Sequence, residues 1–494
     1  MPAPKDWNLP TTTRMATVTE RAAEGKAARK DHPRSALGQW APHTDRPDVV
    51  SMVLEQEVNR VPELLPIRHS RMAASPLAFY RGGASVMAYD LGTFSNSGIV
   101  SQLCGDAHLS NFGVFGSPDR SMIFDVNDFD ETHPGSFEWD VARMVASFLI
   151  AAQENQFTDA DTQAITRVAA QTYRESISQY ATMNDLDQWY SRVDAEYLLS
   201  LAGTEGGEKA TKNMTRTLDK ARSRDRWSAI SKLTEVVDGK RQFMHQPPLL
   251  ARLPMTGDVW NMVLTQFDQY RQSMLDDRRE LLRRYHVIDF AHKVVGVGSV
   301  GLRAFVVLLQ GRDEDDLLVL QVKEAVASAL SPYTGGPLFT DEGHRVVAGQ
   351  RLMQAASDVF LGYITGIGGR HFYVRQLRDM KWSPIISNLT PKAMSGYAQL
   401  CGKSLARGHA RSSDSVKIAG YIGSSDTFDT SLVDFSQRYA EQVNRDFAEF
   451  TQAINDGHIS TTMSEVSAVD SSLQVETQNA GEAYSHLESL KVKG

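Results

Sequence analysis

A chain of 494 residues with 41% hydrophobic and 23% charged side chains carries enough apolar material for one large bilobal unit or two to three smaller cores, which excludes a disordered or fibrous polypeptide. Its net charge of −8 argues against general binding to nucleic acid or to an anionic membrane surface, while a nucleotide delivered with Mg²⁺ stays compatible. Cys104 and Cys401 are too few for a disulfide framework or a cysteine-built zinc site, no signal-peptide core or membrane-length apolar window is read, and the reducing cytoplasm is the expected compartment.

Residues 1–48 are rich in Pro, Thr, Ala and charge without sustained periodicity and are expected to form a loosely packed arm. Val50, Val53, Leu54 and Val58 then predict a short helix from Val49 to Leu65, ended by Pro66. Arg68, Arg71 and the Arg81 of the motif Phe79-Tyr80-Arg81-Gly82-Gly83 offer guanidinium forks that suit phosphate oxygens. A second reading stays open, in which they pair with acidic neighbours and brace the fold.

The stretch from Cys104 to Asp140 is the most informative. Asp106 and Asn111 stand five apart in a loop after a strand-like run, and the apolar Met122, Ile123 and Phe124 then deliver Asp125, Asp128 and Asp130. One carboxylate, a carboxamide and further carboxylates at the end of the next strand supply a general base together with oxygen ligands for Mg²⁺, a hard set suited to phosphate chemistry. After Glu138 and Trp139, the spacing of Val141, Met144, Val145, Phe148 and Leu149 puts Asp140 at a helix start.

Residues 151–285 read as helical, with a cationic run between Glu208 and Lys232 that is either a solvated face or a grip for an acidic substrate. In 286–385, Gly296, Gly298 and Gly301 form a G-x-G-x-x-G. A dinucleotide-binding fold needs a helix directly after such glycines. Here Ala304–Leu309 is β-prone, Gly311–Asp316 is a polar turn and a second strand ends at Lys323, so the order is strand, glycine loop, strand, turn, strand, lysine. A helix near His344–Ala356, a hairpin through Gly366–Gly369 and a connecting segment at Arg375–Leu377 follow. Residues 386–460 read as helical, beginning with an amphipathic helix from Pro391, and 461–494 as a polar tail.

The Cys104–Asn111 loop resembles the H-G-D-x-H-x-x-N signature of aminoglycoside and choline kinases, in the protein-kinase-like superfamily, with Cys104 in place of the first histidine. Over the longer span from Phe79 to Asp379 the sequence resembles the large, mostly bacterial DUF2252 family, whose name carries no activity. The kinase resemblance implies an α+β, bilobal fold, circularly permuted because the catalytic-loop part (49–150) precedes the nucleotide-binding β lobe (286–385), with 151–285 as a helical insertion. It implies ATP and Mg²⁺ as cofactors, Asp106 as the residue that orients or deprotonates an attacking hydroxyl, and Asn111 and Asp128 as metal ligands with Asp125 and Asp130 as further ones. Asp128 is preferred because Asp128-Phe129 repeats the family's Asp-aromatic pair. By the same resemblance Gly296, Gly298, Ser299 and Gly301 cover phosphates, Lys323 neutralises them, His108 and Asp140 brace the loop, and Arg81 lies beside it. The glutamate that partners the strand lysine in kinases is left unassigned, with Glu342 at the edge of its helix and Glu324 expected to point away from Lys323. The expected activity is phosphorylation of a hydroxyl on a small-molecule acceptor, with no nucleic-acid or membrane partner. Protein phosphorylation, AMP transfer on the same fold, and a catalytically silent nucleotide-binding module remain as alternatives.

Overall fold

Phe137–Glu154 folds as a helix in which Phe137 through Ala152 are buried, and the main hydrophobic core is built on every side of it. A stretch that is apolar all round belongs at a centre, and its acidic residues sit in the first turn, where the helix dipole favours them. In the computed structural model, which describes residues 16–222, 230–246, 250–252, 257–293, 300–377 and 380–462, this helix packs against the helices Asp159–Tyr180, Pro391–Ser412 and Thr427–Asn455.

The strands, in chain order, are β1 (Val100–Leu103), β2 (Phe112–Gly116), β3 (Met122–Val126), β4 (His133–Ser136), β5 (Val193–Asp194), β6 (Thr234–Val237), β7 (Lys240–Phe243), β8 (Leu250–Arg252), β9 (His286–Lys293), β10 (Ala304–Gln310), β11 (Leu317–Ala325), β12 (Gly362–Thr365) and β13 (His371–Gln376). The chain is α+β. Its largest sheet is antiparallel in the order β12-β13-β11-β10-β9-β8; β2-β3-β5, β1-β4 and β6-β7 form smaller ones.

Strand β11 is buried along its whole length, and its period of two assigns its side chains to two cores. Leu318, Leu320 and Val322 enter one cluster with Phe290 and Phe372, while Leu317 and Val319 enter another with Phe243 and Ala291. Lys323 therefore shares a face with Gln321 and Val319, and Glu324 takes the opposite one. The register sets Lys323 between Ala304 of β10 and Tyr373 of β13.

Three expectations are corrected. Within the expected arm, Val18–Ala28 is a helix closed by a Thr17/Glu20 capping box. It docks on the helix Ser415–Ile422, where Arg29 donates to the Gly420 and Tyr421 carbonyls at 2.6 and 2.7 Å, a partner nearly 400 residues away that local composition cannot reveal. Pro66 starts a helix rather than ending one: Leu65–Met72 has the proline in its first turn, where the missing N–H costs nothing. The region 151–285 is not wholly helical, since it contributes β5 through β8, and β8 closes the edge of the large sheet. The cationic run lies largely on the helix Ala195–Arg222, whose Lys209, Lys212, Arg216 and Lys220 are exposed, matching the solvated-face reading. Among the described residues, no helix is long and apolar enough to cross a membrane.

A buried ion pair ties the small sheet to the helical core. Both Asp125 oxygens, on β3, accept from Arg407 Nη2 at 2.8 and 2.9 Å, with each side chain about 1% exposed. Removing one partner leaves the other charged and dry, so Arg407→Met should destabilise the protein by about 3–5 kcal/mol in urea unfolding. The double variant Asp125→Leu/Arg407→Met should recover most of that loss; an equal loss in the double variant would contradict this account.

Candidate functional site

The candidate site is built where the loop after β1, the segment after β3 and the end of β11 meet. Gly105, at φ +84°, opens the first loop, and a Cβ there would lie 2.0 Å from the Glu131 carbonyl oxygen, so the turn requires glycine. Asp140, in the first turn of Phe137–Glu154, accepts from the Cys104 and Gly105 N–H groups at 2.8 and 3.0 Å. These two bonds tie the Cys104–Gly105 segment to the start of that helix.

Asp106 is thereby presented with 18% of its side chain exposed. Its Oδ1 accepts from Arg143 Nε at 2.5 Å, and its Oδ2 lies 3.5 Å from His108 Nε2. Since His108 Nδ1 accepts from the Ser110 N–H at 3.2 Å, the ring carries its proton on Nε2, toward Asp106. Burial, outweighing the pull of Asp106, lowers His108 to about 4, so it is a neutral donor at physiological pH. Asn111 Nδ2 donates to the Asp106 carbonyl at 2.8 Å. That orientation spends the amide's donor end on the loop and leaves its oxygen as the ligand-competent end.

The β2–β3 hairpin brings the acidic segment alongside. The Asn127 N–H donates to the Asn111 carbonyl at 2.7 Å, so Asp128 and Asp130 follow directly beside the first loop. Lys323 Nζ pairs with Asp130 and lies 3.7 Å from Asp128 Oδ2, while Tyr373 OH donates to Asp130 Oδ1 at 2.8 Å. Burial pulls the Lys323 proton affinity down, but Asp128 and Asp130 outweigh it and the net shift is upward. The partner of Lys323 is therefore a pair of aspartates. Glu324, on the opposite face as expected, pairs with Arg303 and Arg370 at 3.2 and 2.9 Å, and Glu342 pairs with Arg345.

Arg345, on the helix Glu342–Met353, clamps the acidic segment from behind, donating to the Asp130, Thr132 and Val326 carbonyls at 2.9, 2.6 and 2.7 Å. The sequence reading missed Arg143, Arg345 and Tyr373. Arg143 was marked only by its place one helical turn after Asp140, and Tyr373 by its strand parity; Arg345 carried no local signal, because its partners are backbone carbonyls of a distant loop.

The remaining expected residues separate. Asp125, a proposed further metal ligand, lies 1% exposed in its pair with Arg407, and the Ala355 N–H also donates to it at 2.9 Å, so its oxygens are committed to the core. Gly296, Gly298 and Ser299 lie outside the described residues. Gly301, at φ +93°, ends the glycine segment, and its carbonyl accepts from the Val61 N–H at 2.8 Å while Val300 packs on Val61, Leu64 and Ile67. Val300 and Gly301 are thus anchored to the Val61–Ile67 region that leads into Arg68. Arg68 takes the bracing role, buried and bonded to Glu57 and the Gly82 carbonyl at 2.8 and 2.9 Å.

Among the described residues no group of three or more His, Cys, Asp or Glu side chains is arranged to hold a metal ion. Magnesium in phosphate chemistry is usually bound through one or two carboxylates plus substrate phosphates. Asn111 Oδ1, Asp128 and Asp130, adjacent and partly exposed, fit that donor set.

A family model described as "Uncharacterized protein conserved in bacteria (DUF2252)" matches residues 60–453, well over half of the chain. No curated protein and no solved structure matches.

His108 gives a pH signature. Its native pKa of about 4 lies below the ordinary 6.5, so as pH falls through that window the unfolded chain takes up the proton first and stability is lost. His292, buried and lowered to about 4, acts in the same direction. Between pH 7 and 5 the wild type should therefore lose about 1–2 kcal/mol more stability than His108→Asn, measured by urea midpoints at the two pH values. Equal losses would mean that His108 titrates in the native protein as it does in the unfolded chain.

Proposed function

The chain belongs to the DUF2252 family, and we propose that this protein is an ATP-dependent, magnesium-requiring phosphotransferase of circularly permuted, kinase-like fold that phosphorylates a hydroxyl of a small molecule. The observation that carries the reading is the meeting of Lys323, near the end of β11, the second strand after the glycine segment, with Asp128 and Asp130 beside the Asp106–Asn111 loop. The observed order of β9, β10, turn, β11, helix and β12–β13 hairpin, with the glycine-rich sequence between β9 and β10, supports the same reading.

In this mechanism Lys323 neutralises nucleotide phosphates and Asn111 Oδ1, Asp128 and Asp130 are the oxygen donors toward magnesium. When bound, magnesium would supply compensation of phosphate charge. Arg143 and His108 hold the Asp106 carboxylate against the acceptor hydroxyl. As the acceptor oxygen bonds to the γ-phosphorus and the bridge to the β-phosphate breaks, Asp106 accepts the hydroxyl proton and ADP leaves.

The ligand-free charges favour joint entry of metal and nucleotide. Lys323 exchanges its aspartates for phosphate oxygens, and the aspartates exchange the lysine for a cation, so no buried charge is left alone. Nucleotide without metal would set phosphates against Asp128 and Asp130. Mg²⁺·ATP at a hundred times Kd should therefore stabilise the wild type by about 2.7 kcal/mol in thermal unfolding. ATP without metal should do far less, and Lys323→Ala and Asp128→Ala should lose the shift. The absence of any shift in folded wild type would end the nucleotide reading. Asp106→Asn should keep the Mg²⁺·ATP shift while ATP turnover falls roughly 10²–10⁴-fold; undiminished turnover would remove Asp106 from the chemistry.

A further inference from the structure

We propose that Arg81 is the anion anchor for the acceptor, so that the hydroxyl-bearing substrate also carries an oxyanion group, a carboxylate or a phosphate. The word acceptor rests on the phosphotransferase reading; the anion site rests on the residues around Arg81.

Arg81 lies in the last turn of the short helix Pro76–Gly82. Its neighbour Tyr80 fixes that helix to the site: Tyr80 OH donates to the Arg143 carbonyl at 2.8 Å, and the Arg143 guanidinium sits 4.4 Å over the Tyr80 ring. The backbone carrying Arg81 is thus bolted to the arginine that holds Asp106. Arg81 itself is half-buried, its Nε is enclosed without a hydrogen-bond partner, and its side chain makes no hydrogen bond or ion pair among the described residues.

Five other buried arginines each meet a carboxylate. Arg46 pairs with Asp90 and Asp446 at 2.7 and 2.6 Å, Arg68 with Glu57, Arg143 with Asp106, Arg345 with Glu342 and Arg407 with Asp125. A guanidinium withdrawn from water without a counter-charge is costly, and burial lowers the Arg81 proton affinity despite the influence of Asp106 and Glu154. Neither carboxylate bonds Arg81: Asp106 Oδ1 accepts from Arg143, and Glu154 Oε2 accepts from the Leu77 N–H at 3.2 Å. After burial, the Arg81 charge also helps to lower His108, so the two are within electrostatic reach of each other. The missing counter-charge is the ligand's, and a planar fork of donors suits carboxylate and phosphate alike.

The test uses inorganic phosphate and malonate as probes in calorimetric and thermal-shift titrations of the full chain. At least one should bind wild type saturably, bind Arg81→Gln at least tenfold more weakly, bind Arg81→Lys with intermediate affinity, and bind Lys323→Ala as it binds wild type. Preference for phosphate or for malonate assigns the acceptor's anionic group. Without anion, Arg81→Gln should melt no lower than wild type, because it removes an uncompensated charge; a bracing arginine would leave a less stable protein. The Mg²⁺·ATP shift should be unchanged in Arg81→Gln. If Mg²⁺·ATP fails on wild type while the anion results hold, the nucleotide reading falls and the anion site stands. Equal anion binding by wild type and Arg81→Gln, no binding to folded wild type, loss of binding in Lys323→Ala equal to that in Arg81→Gln, or a lower melting temperature in Arg81→Gln would each overturn the proposal.

Discussion

The burial of Lys323 constrains much of the architecture. A lysine 4% exposed at the end of a fully buried strand requires nearby negative charge, and here that charge comes from Asp130 and Asp128. The nearer carboxylate lies 193 residues away along the chain, so the large sheet and the acidic segment cannot be arranged independently. Tyr373 and Arg345 extend the same coupling, one by bonding the Asp130 carboxylate and the other by bonding the Asp130 carbonyl. Sheet, helix Glu342–Met353 and loop are thereby held as one assembly of buried polar bonds.

Around that assembly three of the expected site residues have one end of the side chain secured inside the protein. Asp106 is fixed through Oδ1 to Arg143, Asn111 through Nδ2 to a carbonyl, and Asp130 through Oδ1 to Tyr373. The Asp106, Asp128 and Asp130 side chains keep 18%, 32% and 21% of their surface exposed. The Asp128 and Asp130 oxygens face Lys323, so each of these charges has its counter-charge within the protein. Asp125 illustrates the contrast: chemically identical and three residues from Asp128, it is turned into the core because strand alternation on β3 directs it at Arg407.

Much of this site was legible in the sequence because its elements are local. The loop from Cys104 to Asn111, the strands β10 and β11 with Lys323 near the end, the turn between them and the helix from Pro391 all follow from short-range patterns of apolar spacing, glycine and capping residues. Strand parity alone also sent Glu324 away from Lys323. The partners of arginines were not legible, because a guanidinium can bond a carboxylate or a backbone carbonyl at any distance along the chain. Arg345 clamps three carbonyls and Arg68 braces Glu57, while Arg81, carried on the same segment as Arg68, is left without a partner among the described residues. The docking of Val18–Ala28 was hidden for a similar reason, since its weak apolar pattern makes sense only against Ser415–Ile422.

By itself the sequence determined which residues have the chemistry for oxygen ligation and proton transfer, and the strand, loop and helix that carries each, because side-chain type and periodicity are properties of short stretches. Only the tertiary structure decided which carboxylates stay available and which cation each one meets. Those choices depend on long-range packing, where the cost of a buried unpaired charge selects Asp130 and Asp128 for Lys323, Asp125 for Arg407 and Asp106 for Arg143.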